Sequence, residues 1–228
     1  MSTPDDRHKA TGAPSAPAVS HGVGPWEGAW PQDPRLDPEL LREGDRRNVE
    51  DRYRYWSHEA ITADLATRRH AFHVAIENWE HDFNIGSVVR TANALGAAAF
   101  HIVGRRRWNR RGAMVTDRYQ VEHHHPDVAA FAQWAATAGE GGTPLRVVGI
   151  DNVPGSVPIE THDLPRDCVL VLGQEGPGIS PEMLAACDVV LEISQFGSTR
   201  SMNAGAAAAI AMHAWVRRHT FGQRPTTP

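Results

Sequence analysis

The residues best placed to do chemistry lie in three polar segments: Asn84 to Arg90, the Gly-rich turn Gly173-Gln174-Glu175-Gly176-Pro177-Gly178, and Gly197-Ser198-Thr199-Arg200-Ser201-Met202-Asn203. The third runs straight into Ala204-Gly205-Ala206-Ala207-Ala208-Ala209, the opening of a helix with almost no side chains. A helix this bare lets the backbone of another segment approach closely. Two polar turns converging near it point to a ligand site.

Taken singly, each residue has a plain alternative. Asn84 sits where a helix cap belongs, and capping alone accounts for an Asn there. In the helix expected over 84–95, Ile85, Val88, Val89, Ala92 and Leu95 form one apolar stripe, and Arg90 points away from it, toward a cleft or toward solvent. Glu175 either orients a ligand or accepts from nearby amides. Ser201 is either a pocket residue or the cap of the helix that follows. The glycines at 173–178 permit close main-chain approach. The turn has neither a phosphate-loop Lys nor the G-x-G-x-x-G spacing, which disfavours a nucleoside triphosphatase and an ordinary dinucleotide fold.

The elements that must position these residues alternate. Strands are expected at Phe72–Ile76, Ala99–Val103, Leu145–Ile150, Cys168–Leu172 and Val189–Ile193, and helices at 84–95, about 126–138 and Pro181–Ala186, the last opened by Ser180 and Pro181. Strands separated by helices predict an α/β fold, a mainly parallel sheet with helices on both faces. The turn at 173–178 then lies at the carboxyl ends of the strands, where ligands bind in such sheets.

Residues 1–38, rich in Pro, Ala, Gly and Ser, are expected to form a disordered tail in which Trp26 and Trp30 either dock on the folded body or stand as incidental aromatics. A helical extension over 39–70 follows, then the main domain at 71–219 and a flexible tail at 220–228. In the extension, Arg46-Arg47-Asn48-Val49-Glu50-Asp51-Arg52-Tyr53-Arg54-Tyr55-Trp56 interleaves basic and aromatic residues, either to grip RNA or to pack its aromatics inward.

The 228 residues carry a net charge of −4 and only Cys168 and Cys187, both beside apolar runs. That balance excludes a wholly basic nucleic-acid binder and a disulfide scaffold, and favours buried, reduced thiols in the cytosol. No apolar run approaches the roughly 18 residues that span a bilayer, so no membrane association is expected.

In order, composition and spacing the three segments resemble, over roughly residues 71–217, the motifs of the SPOUT superfamily, specifically its SpoU-type (TrmH-like) RNA 2′-O-ribose methyltransferases. The motifs read Asn84-Ile85-Gly86-Ser87-Val88-Val89-Arg90-Thr91-Ala92, Leu172-Gly173-Gln174-Glu175-Gly176-Pro177-Gly178-Ile179 and Ile193-Ser194-Gln195-Phe196-Gly197-Ser198-Thr199-Arg200-Ser201-Met202-Asn203. The resemblance implies a C-terminal trefoil knot, a homodimer whose active sites draw on both protomers, and transfer of a methyl group from S-adenosylmethionine to a ribose 2′-hydroxyl of tRNA or rRNA. It implies that Leu172, Gly173, Gly176, Ile193, Gln195, Ser201 and Met202 hold the cofactor, and that Arg90, Asn84, Glu175, Ser201 and Asn203 form the catalytic set. Ser194-Gln195 departs from the family's usual Pro-Met. An RNA-binding protein of the same fold without catalysis is the alternative reading.

Arg105-Arg106-Arg107-Trp108-Asn109-Arg110-Arg111 sets five guanidinium groups and one indole after a strand. Such a cluster is expected to hold RNA, the Arg side chains on phosphates and Trp108 stacked on an unpaired base. Glu122-His123-His124-His125 lacks spaced companion ligands, so no metal is expected.

Overall fold

Runs of Val, Ile and Leu buried on both sides define the strands, and their periodicity explains the layers. The computed structural model describes residues 22–77, 82–104, 108–113, 116–174 and 176–225, with backbone alone at 82–83 and 111–112. The chain divides into two units, Met1–Ile61 and Thr62–Pro228, so the division falls inside the second helix rather than at residue 70.

In the first unit, α1 (Pro38–Glu43) is capped by Asp37 and followed by a short 3₁₀ turn at Asp51–Tyr53. Residues 22–37, expected within the disordered tail, are instead paired: Val23 bridges Asp45, and Leu36 bridges Trp56. Asp45 is fully buried and accepts from the Arg47 guanidinium and from the backbone N–H groups of Arg47 and Tyr55. Burial works to raise its pKa, but those bonds prevail and hold it below the usual carboxylate value. Tyr53 is buried, Trp26 packs edge-on to Tyr55, and the Arg35 guanidinium lies 4.3 Å from the Trp56 ring. Tyr53, Tyr55 and Trp56, with Arg47, Arg52 and Arg54, are thus engaged within their own unit, as the packing alternative requires.

In the second unit, beginning within α2 (His58–Ala66), seven strands form one parallel sheet. They are β1 (His73–Glu77), β2 (Phe100–Val103), β3 (Glu122–His125), β4 (Arg146–Ile150), β5 (Val157–Pro158), β6 (Cys168–Leu172) and β7 (Val189–Glu192), in the order β3-β2-β1-β6-β4-β7-β5. The helices are α3 (Asp82–Ala94), α4 (Val128–Ala135), α5 (Pro181–Ala186) and α6 (Ala204–His219). The sequence gives no sign of β3, whose EHHH carries no apolar alternation, or of β5, a two-residue edge strand containing Pro.

β1, β2, β4 and β6 alternate between two cores. Val74, Ile76, Val148, Ile150, Leu170 and Leu172 join α3 and α6 on one face, while Ala75, Val147, Val169 and Val171 join α4 and α5 on the other. Gly205 and Ala208 of α6 are buried where α6 meets α3. A Cβ on Gly205 would come within 3.3 Å of the Ser87 hydroxyl, which is the close approach a bare helix allows.

Candidate functional site

Strands β6, β4 and β7 are neighbours, and their carboxyl ends lie level, with Ile150 paired to both Leu172 and Leu191. The segments leaving them therefore converge. Between them lies a cavity of about 440 Å³, lined by Ile150, Asp151 and Asn152 after β4, by Leu172, Gly173, Gln174, Gly176 and Gly178 after β6, and by Ile193, Gln195, Ser201, Met202, Asn203, Ala204 and Ala207 after β7. All the residues expected to hold a cofactor stand on this one wall. Gly178, from the turn already expected there, joins them, and so do Asp151 and Asn152, which the sequence reading does not single out although their place after a parallel strand is a legible signal.

The turn after β6 is closed by its own backbone: Gln174 N–H donates to Gly178 O (2.9 Å) and Gly178 N–H to Gln174 O (3.0 Å). A Cβ on Gly173 would overlap the Gly178–Ile179 peptide, and Gly178 has φ +75° with the Asp151 carboxylate against its Cα, so neither site has room for a side chain. Two carboxylates pin the far end. Asp151 Oδ2 accepts from Ile179 N–H (2.7 Å), and Glu77, 2% exposed at the end of β1, accepts from Ser180 N–H (2.9 Å). The Ser180 hydroxyl accepts from Met183 N–H and caps α5.

The segment after β7 is tied just as firmly. Ser194 donates through both its N–H and its hydroxyl to the Glu160 carboxylate, each at 3.0 Å. A proline at 194 has no N–H for the first of these bonds. Gln195 Nε2 donates to Arg200 O (3.3 Å), and Asn152 Nδ2 donates to the same carbonyl. Asn203, rather than Ser201, caps α6: its Oδ1 accepts from Ala206 N–H (3.1 Å).

Asn84 is not a cap, because α3 begins at Asp82; it lies within the first turn, buried, where Asn203 Nδ2 donates to its Oδ1 (3.1 Å). That bond joins the first polar segment to the third. Arg90 is exposed on α3 and is not among the residues lining the cavity of its own chain. Glu175 and Arg105, Arg106 and Arg107 lie outside the described residues, as does the side chain of Arg111.

Trp108, expected to stack on a base, is instead only 8% exposed, belongs to the core that holds the apolar stripe of α3 and donates through Nε1 to Glu122 Oε2 (3.2 Å). Arg110, expected on a phosphate, already faces Asp117 (3.2 Å) and Glu122 (2.9 Å), and these two carboxylates compensate its charge. Trp108 and Arg110 read as surface in one dimension because their partners come from residues 117 and 122.

Among the described residues no three His, Cys, Asp or Glu converge as a metal-binding group, and no helix is long and apolar enough to cross a membrane. Neither Cys168 nor Cys187 is in a disulfide, and burial pushes both thiols up to about 12, leaving them inert at neutral pH.

A parallel sheet whose neighbouring carboxyl ends carry two pinned turns around one cavity is the architecture of a ligand-binding α/β protein. Residues 71–213 match the model of the SpoU rRNA Methylase family, and the chain belongs to that family. A 23S rRNA (uridine(2479)-2′-O)-methyltransferase of Streptomyces viridochromogenes is 30% identical over 156 residues, 64% of this chain and 52% of that protein. An uncharacterized tRNA/rRNA methyltransferase of Mycolicibacterium vanbaalenii is 33% identical over 61% of this chain and 44% of its own length. The chain thus spans about half the length of these relatives.

Among solved structures, the SpoU methyltransferase AviRb from Streptomyces viridochromogenes in complex with the cofactor AdoMet superposes with a TM-score of 0.62 at 26% identity, covering 70% of this chain and 62% of that one. The A. aeolicus TrmH/SpoU tRNA modifying enzyme, at 21% identity and a TM-score of 0.62, covers 75% of this chain and 88% of its own and shares the fold.

Proposed function

We propose that the chain is an S-adenosylmethionine-dependent RNA 2′-O-ribose methyltransferase acting on rRNA or tRNA in the cytosol as a homodimer. The observation that carries this reading is that Leu172, Gly173 and Gly176 from one turn and Ile193, Gln195, Ser201 and Met202 from another line the same cavity. The donor set suits the cofactor. Ile150, Leu172, Ile193, Ala204 and Ala207 offer apolar walls to the adenine, the turns offer main-chain donors and acceptors, and the Asp151 carboxylate complements a cationic ligand. When bound, S-adenosylmethionine supplies a methyl group activated by a positive sulfur.

The protein's own task is to hold the ribose oxygen in line with that methyl carbon and to ease loss of the hydroxyl proton. A permanently charged Arg90 does this by gripping the neighbouring phosphate and stabilising charge that develops on the 2′-oxygen. Because Arg90 is exposed and off its own cavity, we assign it to the cavity of the partner subunit, with Asn84 and Asn203 fixing the join between α3 and the third segment. Threading of α6 as a trefoil knot belongs to the same reading. So does Glu175 as an organiser of the pocket.

Calorimetric titration with S-adenosylmethionine, followed by transfer of labelled methyl into total RNA and mapping of the modified ribose, tests the proposal. Saturable binding and label in a ribose are expected. RNA binding with no cofactor binding would mark the chain as a non-catalytic RNA binder of this fold.

Glu160→Ala removes both tethers of Ser194 without touching the cavity. Each exposed bond is worth roughly 0.5–1 kcal/mol, so with both lost cofactor affinity is expected to fall by at most about 5- to 30-fold, with little change in melting temperature. Equal affinity in the variant and the unmodified protein would show that the tether does not shape the cavity.

A further inference from the structure

Phe196 is 97% exposed. Its segment is nevertheless held at both ends. Ser194 is fixed twice to Glu160, the Gln195 side chain closes back onto Arg200 O, Asn152 reaches the same carbonyl, and Asn203 is locked to α6 and to Asn84. The apex between them, Phe196 to Thr199, therefore projects from a pinned base. Phe196 follows Gln195 directly; Gln195 lines the cavity and Phe196 does not, so the exposed aromatic residue lies one step along the chain from the cavity wall.

In its own segment the apolar residues Ile193 and Met202 line the cavity, and Gly197, Ser198, Thr199, Arg200 and Ser201, which follow Phe196 along the chain, are polar or bare and exposed. A dry protein interface surrounds such an anchor with apolar neighbours, and residues 197–201 supply none. An exposed aromatic ring and an exposed arginine four residues apart are instead the pairing that single-stranded nucleic acid uses, the base stacking on the ring and the phosphate meeting the Arg.

Resting on the proposed RNA methyl transfer, we propose that Phe196 is a stacking platform for an unpaired nucleobase at the mouth of the cavity, with Arg200 holding an adjacent phosphate. The pair replaces Trp108 and Arg110, whose partners lie within the protein, as the aromatic and basic contact for RNA.

The test uses single-stranded oligoribonucleotides carrying 2-aminopurine, with the full-length chain and its variants Phe196→Ala, Phe196→Tyr and Arg200→Ala. Since the ring touches nothing that holds the fold, Phe196→Ala is expected to keep the melting temperature and the affinity for S-adenosylmethionine. It should quench 2-aminopurine much less and bind RNA about 5- to 100-fold more weakly, the range set by loss of one stacked base. Phe196→Tyr should retain both. Arg200→Ala should keep the quenching and lower the salt dependence of binding by about one phosphate contact.

RNA bound and quenched equally by Phe196→Ala and the unmodified protein overturns the assignment. So does a Phe196→Ala chain that sediments as a monomer where the unmodified protein is a dimer, since the ring then belongs to the contact between copies. Absence of methyl transfer by the unmodified protein counts instead against the proposed reaction, because the stacking contact is read by binding alone.

Discussion

Arg90→Ala is expected to lower single-turnover methyl transfer about 10²- to 10³-fold, the loss typical of removing one preorganised donor from developing oxyanion charge. Affinity for S-adenosylmethionine should stay within a factor of two, because Arg90 is assigned to the phosphate and the 2′-oxygen of the RNA rather than to the cofactor. The fold should hold as well. The apolar stripe of α3, Ile85, Val88, Val89 and Ala92, is buried on the opposite side of the helix, and the tie from Asn203 to Asn84 does not involve Arg90. Arg90→Lys retains the charge but not the planar fork, so it should recover only part of the rate.

A mixing experiment locates the arginine. If Arg90 serves the partner's cavity, then dimers formed from an Arg90→Ala chain and a Gly173→Val chain, each inactive alone, contain one cavity with both parts intact. Re-formed mixtures should then regain a substantial fraction of the unmodified rate. No regain on mixing would place Arg90 at the cavity of its own chain, and full activity of Arg90→Ala would remove it from the chemistry.

The order of elements was open to reading because the strand signal is local. Cys168–Leu172 and Pro181–Ala186 match the expected bounds, since an unbroken apolar run and a Ser-Pro helix start are decided by neighbouring residues. Elsewhere the ends move by one to three residues, and at Asn84 that shift matters. Two added residues at the start of α3 turn an expected cap into a buried hydrogen-bonding group facing Asn203. β3 escaped notice because its residues are polar and its stability comes from lying beside β2.

The cavity was legible as two motifs, but what sets their shape was not. Asp151, Asn152, Glu77 and Glu160 lie on other segments, and they act on the two turns through contacts that form only once the sheet has assembled. Trp108 failed in the opposite direction. Its five arginine neighbours suggested solvent, while its burial depends on α3 and Glu122, which no local pattern announces.

The same polar strand carries the second large effect, an acid-labile core. β1, β2 and β3 place His73, His101 and His125 on the α4 face, where His73 Nδ1 and His101 Nε2 lie 3.0 Å apart, as do His101 Nδ1 and His125 Nε2. Trp134 of α4 covers the three, its ring centroid 4.1 Å from that of His101, and His123 stacks on His101 from the edge. A chain of neutral imidazoles is satisfied when every ring donates once and accepts once; a proton added to His101 turns its acceptor nitrogen into a second donor and breaks the sequence. Burial, reinforced by neighbouring histidines, drives His73 down to about 4, His101 well below its ordinary 6.5, and His125 down as well.

These groups bind protons in the unfolded chain before they do in the folded one. Their contribution is therefore complete above about pH 6.5 and is lost as the pH falls toward 4. For His73 alone, a fall from 6.5 to about 4 corresponds to at most roughly 3 kcal/mol, and the other two add to it. Carboxylates with lowered pKa, such as Asp45 and Asp163, lose their contribution only below 3.8, so the windows separate. Urea unfolding of the unmodified protein is expected to shift to markedly lower midpoints between pH 7 and pH 5. His101→Gln keeps a donor and an acceptor but has nothing to protonate, so it should flatten that slope. An equally steep slope in His101→Gln would remove His101 from the acid lability and leave it to His73, His125 or groups elsewhere.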